Sequence, residues 1–365
     1  MDDLESPGAG PPIEAVQSVF RVYETRRDGD TLLYFGEPTV PRDALEERVW
    51  PLFREAGYEV SLARRTGEHV LVAEPRSVGV DGIPWTNIVF ALLTVLTTLL
   101  AGLEWYGLEW SLADPSALLR SWPFALAVLG VLGIHELGHY AMSRRYEVDA
   151  SLPYFIPVPT IFGTMGAVIK MNGRIPNRKA LFDIGIAGPL AGLVAAVVAT
   201  AVGLQLDPVA AGPVFRIETL NYPPLIQLIA AVTGAELSPA GGRVNPVVVG
   251  GWVGMFVTFL NLLPVGQLDG GHVVRAMIGE RQETIAALVP AALFGLGAYL
   301  LFVREAALQG ITLWFFWGLI TLALAYAGPA RPVSEESLGA KRKALGAATF
   351  LLGLLCFTPV PFQFV

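Results

Sequence analysis

The sequence predicts an α-helical polytopic membrane protein preceded by a small N-terminal α+β domain. Three observations predict it. The 365 residues are 53% hydrophobic and only 16% charged, with mean hydropathy +0.53, whereas soluble domains hold about 45–50% apolar and about 25% charged residues. Seven apolar stretches of roughly the length needed to cross a bilayer follow residue 83. Before them, 13–77 has a soluble composition with strand and helix patterning.

Residues 1–12 are acidic and rich in Gly and Pro, as in a disordered tail. They lack the apolar core of a cleavable signal. The segments 19–23 and 31–35 read as strands joined by Arg26-Arg27-Asp28-Gly29-Asp30, a turn signal. Residues 41–56 read as a helix with Leu45, Val49, Leu52 and Phe53 on one side, ending at Gly57. Segments 58–64 and 69–73 form a second hairpin around Thr66-Gly67-Glu68. The ββαββ unit holds no catalytic cluster, and His69 reads as a surface strand residue. Cys356 stands alone, so no intrachain disulfide forms. The net charge of −7 argues against a nucleic-acid partner.

The membrane segment, 84–360 with its core at 121–280, carries expected spans at 84–103, 121–146, 180–204, 246–267, 285–303, 309–328 and 343–360. The apolar run within 222–235 is too short to cross and reads as an outer segment lying on or dipping into the membrane. With the N-terminus inside, the inner connections hold Arg144, Arg145, Lys170, Arg174, Arg178, Lys179, Arg275, Arg281, Arg331, Lys341, Arg342 and Lys343. The outer ones hold only Arg120, Arg216, Arg243 and Arg304. This asymmetry predicts a multi-pass protein of the cell membrane with a cytoplasmic N-terminal domain.

The second span contains His135-Glu136-Leu137-Gly138-His139. Helical residues four apart share a face, so both imidazoles can bind one metal ion. Glu136 leaves the helix about 100° round from His135, where it can act on a water at the metal. Gly138 lets another backbone approach. Three ionisable groups within five residues of a membrane span are costly, and a divalent cation compensates them. From His135 to the inner-flank Arg144 is nine residues, or about 14 Å of helix.

A catalytic zinc site takes three protein ligands and keeps one position open. The fourth span ends in Asn261-Leu262-Leu263-Pro264-Val265-Gly266-Gln267-Leu268-Asp269-Gly270-Gly271-His272. Asp269 offers an oxygen and a balancing charge. It could instead cap the helix that follows, and His272 is an alternative ligand. The Pro and Gly residues break the helix at a depth where broken backbone lines a cavity. Asn261 could donate to a substrate carbonyl or a developing oxyanion. The expected architecture is therefore about seven transmembrane helices around an intramembrane zinc site.

His135-Glu136-Leu137-Gly138-His139, Asn261-Leu262-Leu263-Pro264 and Leu268-Asp269-Gly270-Gly271 together resemble the site-2 protease family of intramembrane zinc metalloproteases. The segment Leu181-Phe182-Asp183-Ile184-Gly185-Ile186-Ala187-Gly188-Pro189-Leu190-Ala191-Gly192 is similar to that family's third core span. The resemblance covers about 120–280. The N-terminal domain and extra spans resemble the branch with cyanobacterial and chloroplast members, and no PDZ-like insert is seen. The resemblance implies one Zn²⁺ held by His135, His139 and Asp269, with Glu136 as general base. It also implies an endopeptidase that cleaves transmembrane segments of other membrane proteins in regulated intramembrane proteolysis.

Between the second and third spans, Pro153, Pro157 and Pro159 punctuate an apolar run. Gly163-Thr164-Met165-Gly166-Ala167-Val168-Ile169-Lys170-Met171 then reads as a strand ending at Asn172-Gly173. This predicts a re-entrant β-hairpin. Its edge, with Gly163, Thr164, Met165 and Gly166 as substrate-binding residues, could pair with an unwound substrate; otherwise it anchors the fold. The small residues of the third span read as packing, and Asp183 as a helix-start acid. Two other functions fit parts of the pattern: a quality-control zinc protease working at the membrane surface, and a non-enzymatic metal transporter with polar groups strung along several spans. The partners expected are a transmembrane protein substrate and the lipid bilayer; nothing in the sequence sets an oligomeric state.

Overall fold

The structure, a computed structural model, describes residues 10–364 other than 66, 77–81, 110–115, 172, 211–214, 216, 241 and 306–307. Residues 1–9 of the expected tail, Thr66, Asn172 and Arg216 thus lie outside the described residues. The chain begins with α1 (Ile13–Gln17), β1 (Phe20–Asp28), β2 (Thr31–Pro38), α2 (Arg42–Glu55), β3 (Tyr58–Arg65) and β4 (Glu68–Pro75). All strand pairs are antiparallel and the sheet order is β1-β2-β4-β3. One sheet face buries Phe20, Leu32, Tyr34 and Leu71 against Leu45, Val49 and Phe53 of α2. The short helix α1, which the sequence pattern does not announce, adds Ile13 and Val16 to that core.

The remaining elements are α3 (Trp85–Tyr106), α4 (Ser116–Arg120), α5 (Trp122–Arg145), β5 (Tyr154–Pro157), β6 (Thr164–Val168), α6 (Arg178–Gly203), β7 (Val209–Ala210), β8 (Ile217–Leu220), α7 (Pro224–Thr233), β9 (Gly242–Arg243), α8 (Val247–Asn261), α9 (Asp269–Ile278), α10 (Gln282–Phe302), α11 (Leu308–Ala327), α12 (Ala340–Leu355) and β10 (Phe362–Phe364). Helices occur at all seven expected spans. Four described helical runs are long and apolar enough to cross a membrane: Trp85–Tyr106, Trp122–Arg145, Arg178–Gly203 and Asp269–Phe302. The last run starts sixteen residues before the expected fifth span, because α9 continues through a 3-10 turn at Gly279–Arg281 into α10. The fourth expected span, 246–267, is helical only to Asn261; Pro264 and Gly266 follow, and Pro264 cannot donate to a continuing helix. Within 222–235, α7 is a ten-residue helix with Leu225, Ile226, Ile229 and Ala230 buried. The short pairs β7–β9 and β8–β10 carry no periodicity from which strands could be expected.

Two features position the site. First, α6 packs on α5, α8 and α9, and α5 packs on α8 as well, in a core built on Val128, Val131, Leu193, Ala196, Val253 and Trp252. Asn177 caps α6, its Oδ1 accepting from the Ala180 amide at 2.9 Å. Second, β5 and β6 form an antiparallel hairpin, with Tyr154 opposite Val168 and Phe155 opposite Ala167. Pro153, Pro157 and Pro159 keep β5 to four residues, since proline supplies no ladder donor. The hairpin lies along α3. Asn87 Nδ2 donates to the Leu152 and Pro153 carbonyls, Thr97 Oγ1 to Gly163 at 2.6 Å, and Trp105 Nε1 to Ile161 at 2.8 Å. From Asn87 to Trp105 is about 27 Å of helix, close to the thickness of a hydrocarbon core.

The N-terminal domain docks on the end of α5. Arg54 Nη2 donates to the Tyr146 carbonyl at 2.8 Å and to Glu147 O at 3.2 Å. Arg76 Nη2 donates to the Glu147 carbonyl and, at 3.2 Å, to its carboxylate. Arg174 reaches Glu46 of α2 at 3.0 Å. The hydrogen bond and charge of Arg76, with Arg54 behind, hold the Glu147 carboxyl below its ordinary value of 4.5. A carboxylate depressed in the docked state stabilises docking above pH 4.5 and loses that contribution as pH falls through its lowered value. We expect hydrogen exchange in α2 and around 146–147 to rise on acidification from pH 5 toward 3, and Glu147→Gln to show the raised exchange already at pH 6. Equal exchange in native protein and variant at pH 6 would show that the pair does not hold the domain.

Candidate metal centre

α5 presents its two histidines one turn apart on the face packed against α6. His135 Nε2, His139 Nε2 and Asp269 Oδ2 are each 3.2 Å from the other two. Among the described residues, these three side chains form the group close enough to share a metal ion. Ligands at tetrahedral corners about 2.0–2.1 Å from zinc stand about 3.3–3.4 Å apart. The 3.2 Å triangle therefore fits a zinc-sized ion. The His139 ring is held in the orientation a ligand needs, because Nδ1 lies 2.8 Å from the Ile184 carbonyl of α6. A carbonyl can only accept, so Nδ1 carries the proton and Nε2 turns its lone pair to the triangle.

The N-cap position of α9 is Leu268, and Asp269 is the first residue inside the helix. Its carboxylate turns to the histidines, which rejects the helix-cap alternative. His272 lies outside the triangle; its Nδ1 is buried without a hydrogen-bond partner. Asn261, the last residue of α8, places Nδ2 3.2 Å from His135 Nε2. Glu136 and the triangle border one cavity of about 720 Å³. Ile169, on the arm that follows β6, borders the same cavity as Glu136, its backbone near the carboxylate.

Gly163, Thr164, Met165 and Gly166 do not border this cavity; residues 167–171 do. Gly163, at φ +75°, is wedged against the Thr97–Thr98 backbone of α3, where any side chain would collide. Thr164 Oγ1 donates within the hairpin to Ile156 O at 3.0 Å. Met165 is 60% exposed. The reason is depth. Phe155, paired with Ala167, meets Gly133 of α5, and Ile169 lines the cavity beside Glu136. Residues 163–166 therefore lie farther toward the N-terminal end of α5 than the triangle, and the following arm passes the carboxylate.

Gly188 and Gly192, with Gly185 and Ala191, are small residues of the third span whose pattern reads mostly as packing. A Cβ on Gly188 would overlap the His139 imidazole, and one on Gly192 would lie 2.9 Å from His135 Cβ and Nδ1. On the other side of the interface, a Cβ on Gly138 would lie 2.6 Å from the Ala187 carbonyl. The two α6 glycines repeat at the spacing of the two histidines, and that match was the available signal. Asp183, read as a helix-start acid, is instead bound by Arg342 through two 2.8 Å hydrogen bonds and by Tyr146 at 2.5 Å. It ties α12 and the end of α5 to α6.

Residues 123–303 match the family model described as Peptidase family M50. The chain is 36% identical over 246 residues to the probable zinc metalloprotease EGY1, chloroplastic, of Arabidopsis thaliana, covering 65% of this chain and 43% of that protein. It is 30% identical over 250 residues to the probable zinc metalloprotease EGY2, chloroplastic, of Oryza sativa subsp. indica, covering 66% of this chain and 43% of that protein. The chain thus spans less than half the length of these curated relatives. Among solved structures, the site-2 protease from Methanocaldococcus jannaschii aligns at a TM-score of 0.34 and 16% identity, over 72% of this chain and 100% of that chain.

Proposed function

Because the chain belongs, through residues 123–303, to peptidase family M50, we propose that it is an intramembrane zinc endopeptidase that cleaves transmembrane segments of other membrane proteins. The observation that carries this reading is the 3.2 Å triangle of His135, His139 and Asp269 beside the Glu136 carboxylate. His135, His139 and Asp269 hold the ion. Bound zinc supplies Lewis acidity, which polarises a carbonyl and brings the pKa of a water toward neutrality. Glu136 takes the proton of the attacking water as its oxygen bonds to the scissile carbonyl carbon. It returns that proton to the amine nitrogen as the C–N bond breaks. The Asn261 amide donates to the carbonyl oxygen as negative charge develops there.

A transmembrane helix hides its peptide groups in its own hydrogen bonds, so cleavage requires an unwound stretch. The hairpin arm beside Glu136 offers a partner for it by strand addition. This shifts the proposed substrate contact from 163–166 toward 167–169. The length of α3 along which the hairpin runs supports a re-entrant hairpin within the bilayer. Seven crossings, with the N-terminal domain on the cytoplasmic face, agree with the helices at all seven sites. The same orientation is favoured by the basic residues at the end of α5 where the N-terminal domain docks, Arg144, Arg145 and Arg174 among them. Clustering of the buried ionisable groups favours hydrolysis over metal transport, which needs polar groups along a path.

The reading is tested by reconstituting the full chain in liposomes with a single-span substrate. Cleavage should stop on chelation and return when zinc is restored, with the product ends lying inside the substrate's apolar segment. Cleavage that persists in the chelated protein, or product ends only in the aqueous flank, would overturn it.

A further inference from the structure

The catalytic cavity carries charge of one sign at its N-domain side. Among the described residues lining it, the acids are Glu136 and Asp269, both at the metal triangle. Lys170, Arg174 and Arg331 line it as well. The three reach it from separate places: Lys170 from the arm after β6, Arg174 from the connection to α6, and Arg331 from the segment after α11. Arg174 is compensated by Glu46 at 3.0 Å. Arg331 meets Glu283 only at 3.7 Å, with the side chains 76% and 59% exposed, a pair that neutralises little. The Lys170 side chain is exposed and has no partner among the described residues. Two cations thus face the mouth with little or no compensation.

Their placement relative to the chemistry is set by the hairpin. Lys170 directly follows Ile169, and both line the cavity that Glu136 borders. An extended chain leaving Glu136 toward the N-domain passes Lys170 within about two residues. It reaches the end of α5, about 14 Å away, within about four. The flank of a bound substrate on that side therefore passes Lys170, in a cavity that Arg331 also lines. Ordinary transmembrane segments carry Lys and Arg on the cytoplasmic flank, and such a flank is repelled there.

We infer that Lys170 and Arg331 form a cationic rim that selects substrates whose cytoplasmic flank bears Asp or Glu within about five residues of the scissile bond. The inference rests on the protease reading above and on its orientation. Three single-span substrates identical except for four flank residues, all acidic, all basic or all Ser/Gly, separate the possibilities in liposomes containing the full chain. A single pair of unit charges at contact in water is worth about fivefold. The native protein should therefore show kcat/KM at least about fivefold higher for the acidic than for the basic flank, with the ratio shrinking as salt rises. In Lys170→Glu/Arg331→Glu the acidic-to-basic ratio should fall below one. Should that variant not fold, Lys170→Gln/Arg331→Gln should bring the ratio close to one. The same three substrates, labelled, are titrated against Glu136→Gln protein by fluorescence anisotropy, with and without the rim changes. A ratio that the rim changes leave in place, in cleavage and in binding, overturns the rim. If no substrate is cut while binding still follows flank charge, the rim stands and the protease reading falls.

Discussion

Glu136→Gln should lose at least about 10³-fold in cleavage rate while keeping its zinc, because general acid–base transfer contributes about 10²–10⁴ and Gln cannot take a proton. The triangle of His135, His139 and Asp269 does not include Glu136, so the metal should stay. The amide preserves the shape of the side chain at the cavity wall. Asp269→Ala should behave in the opposite way: it removes one corner of the triangle and the charge opposite two imidazoles, so zinc and activity should be lost together. Measuring bound zinc per chain alongside cleavage separates the two outcomes. Glu136→Gln protein that loses zinc as readily as Asp269→Ala protein would make Glu136 a ligand. Glu136→Gln protein that cleaves within tenfold of native would remove it from the proton path.

The parts of this site that the sequence revealed are those where chemistry is uncommon for its surroundings. Two histidines and an acid in an apolar helix, and an acid after a Pro/Gly-broken one, are costly in lipid, and their cost makes them visible. The ββαββ order was visible for a different reason, since period-2 alternation and Gly-centred turns are local. What stayed hidden depends on distance between elements. Nothing local announces that the Ile184 carbonyl will fix the His139 ring, or that Ile169 rather than Gly163 will line the cavity beside Glu136. The strand was identified, but which part of it passes the carboxylate follows from the hairpin's seat on α3. Asp183 shows the same limit: its position in the first turns of α6 suggested a dipole role, while its partner Arg342 lies 159 residues away.

The glycines of α6 give the sharpest test of how the site is held. Gly188→Ala adds one methyl group at the face that packs on His139. In an exposed helix this change stabilises by about 1 kcal/mol, so the apo protein should fold and its helices should persist. The methyl has no room while the imidazole keeps its place. The ring must swing away, giving up the 2.8 Å bond to Ile184 and withdrawing Nε2 from the triangle. Changes to groups that orient a metal-bound histidine cost about 10–100-fold in affinity, and displacing the ligand itself should cost at least the upper figure. We therefore expect Gly188→Ala to weaken zinc binding by about 100-fold or more in a chelator competition, with the helix content of the apo protein retained. Gly130→Ala, on α5 where an added Cβ meets nothing within 4 Å, should leave zinc affinity at the native value. Native zinc affinity in Gly188→Ala protein would mean that α6 yields readily to the added methyl without moving His139, and that the spacing shared by the glycine and histidine pairs is incidental.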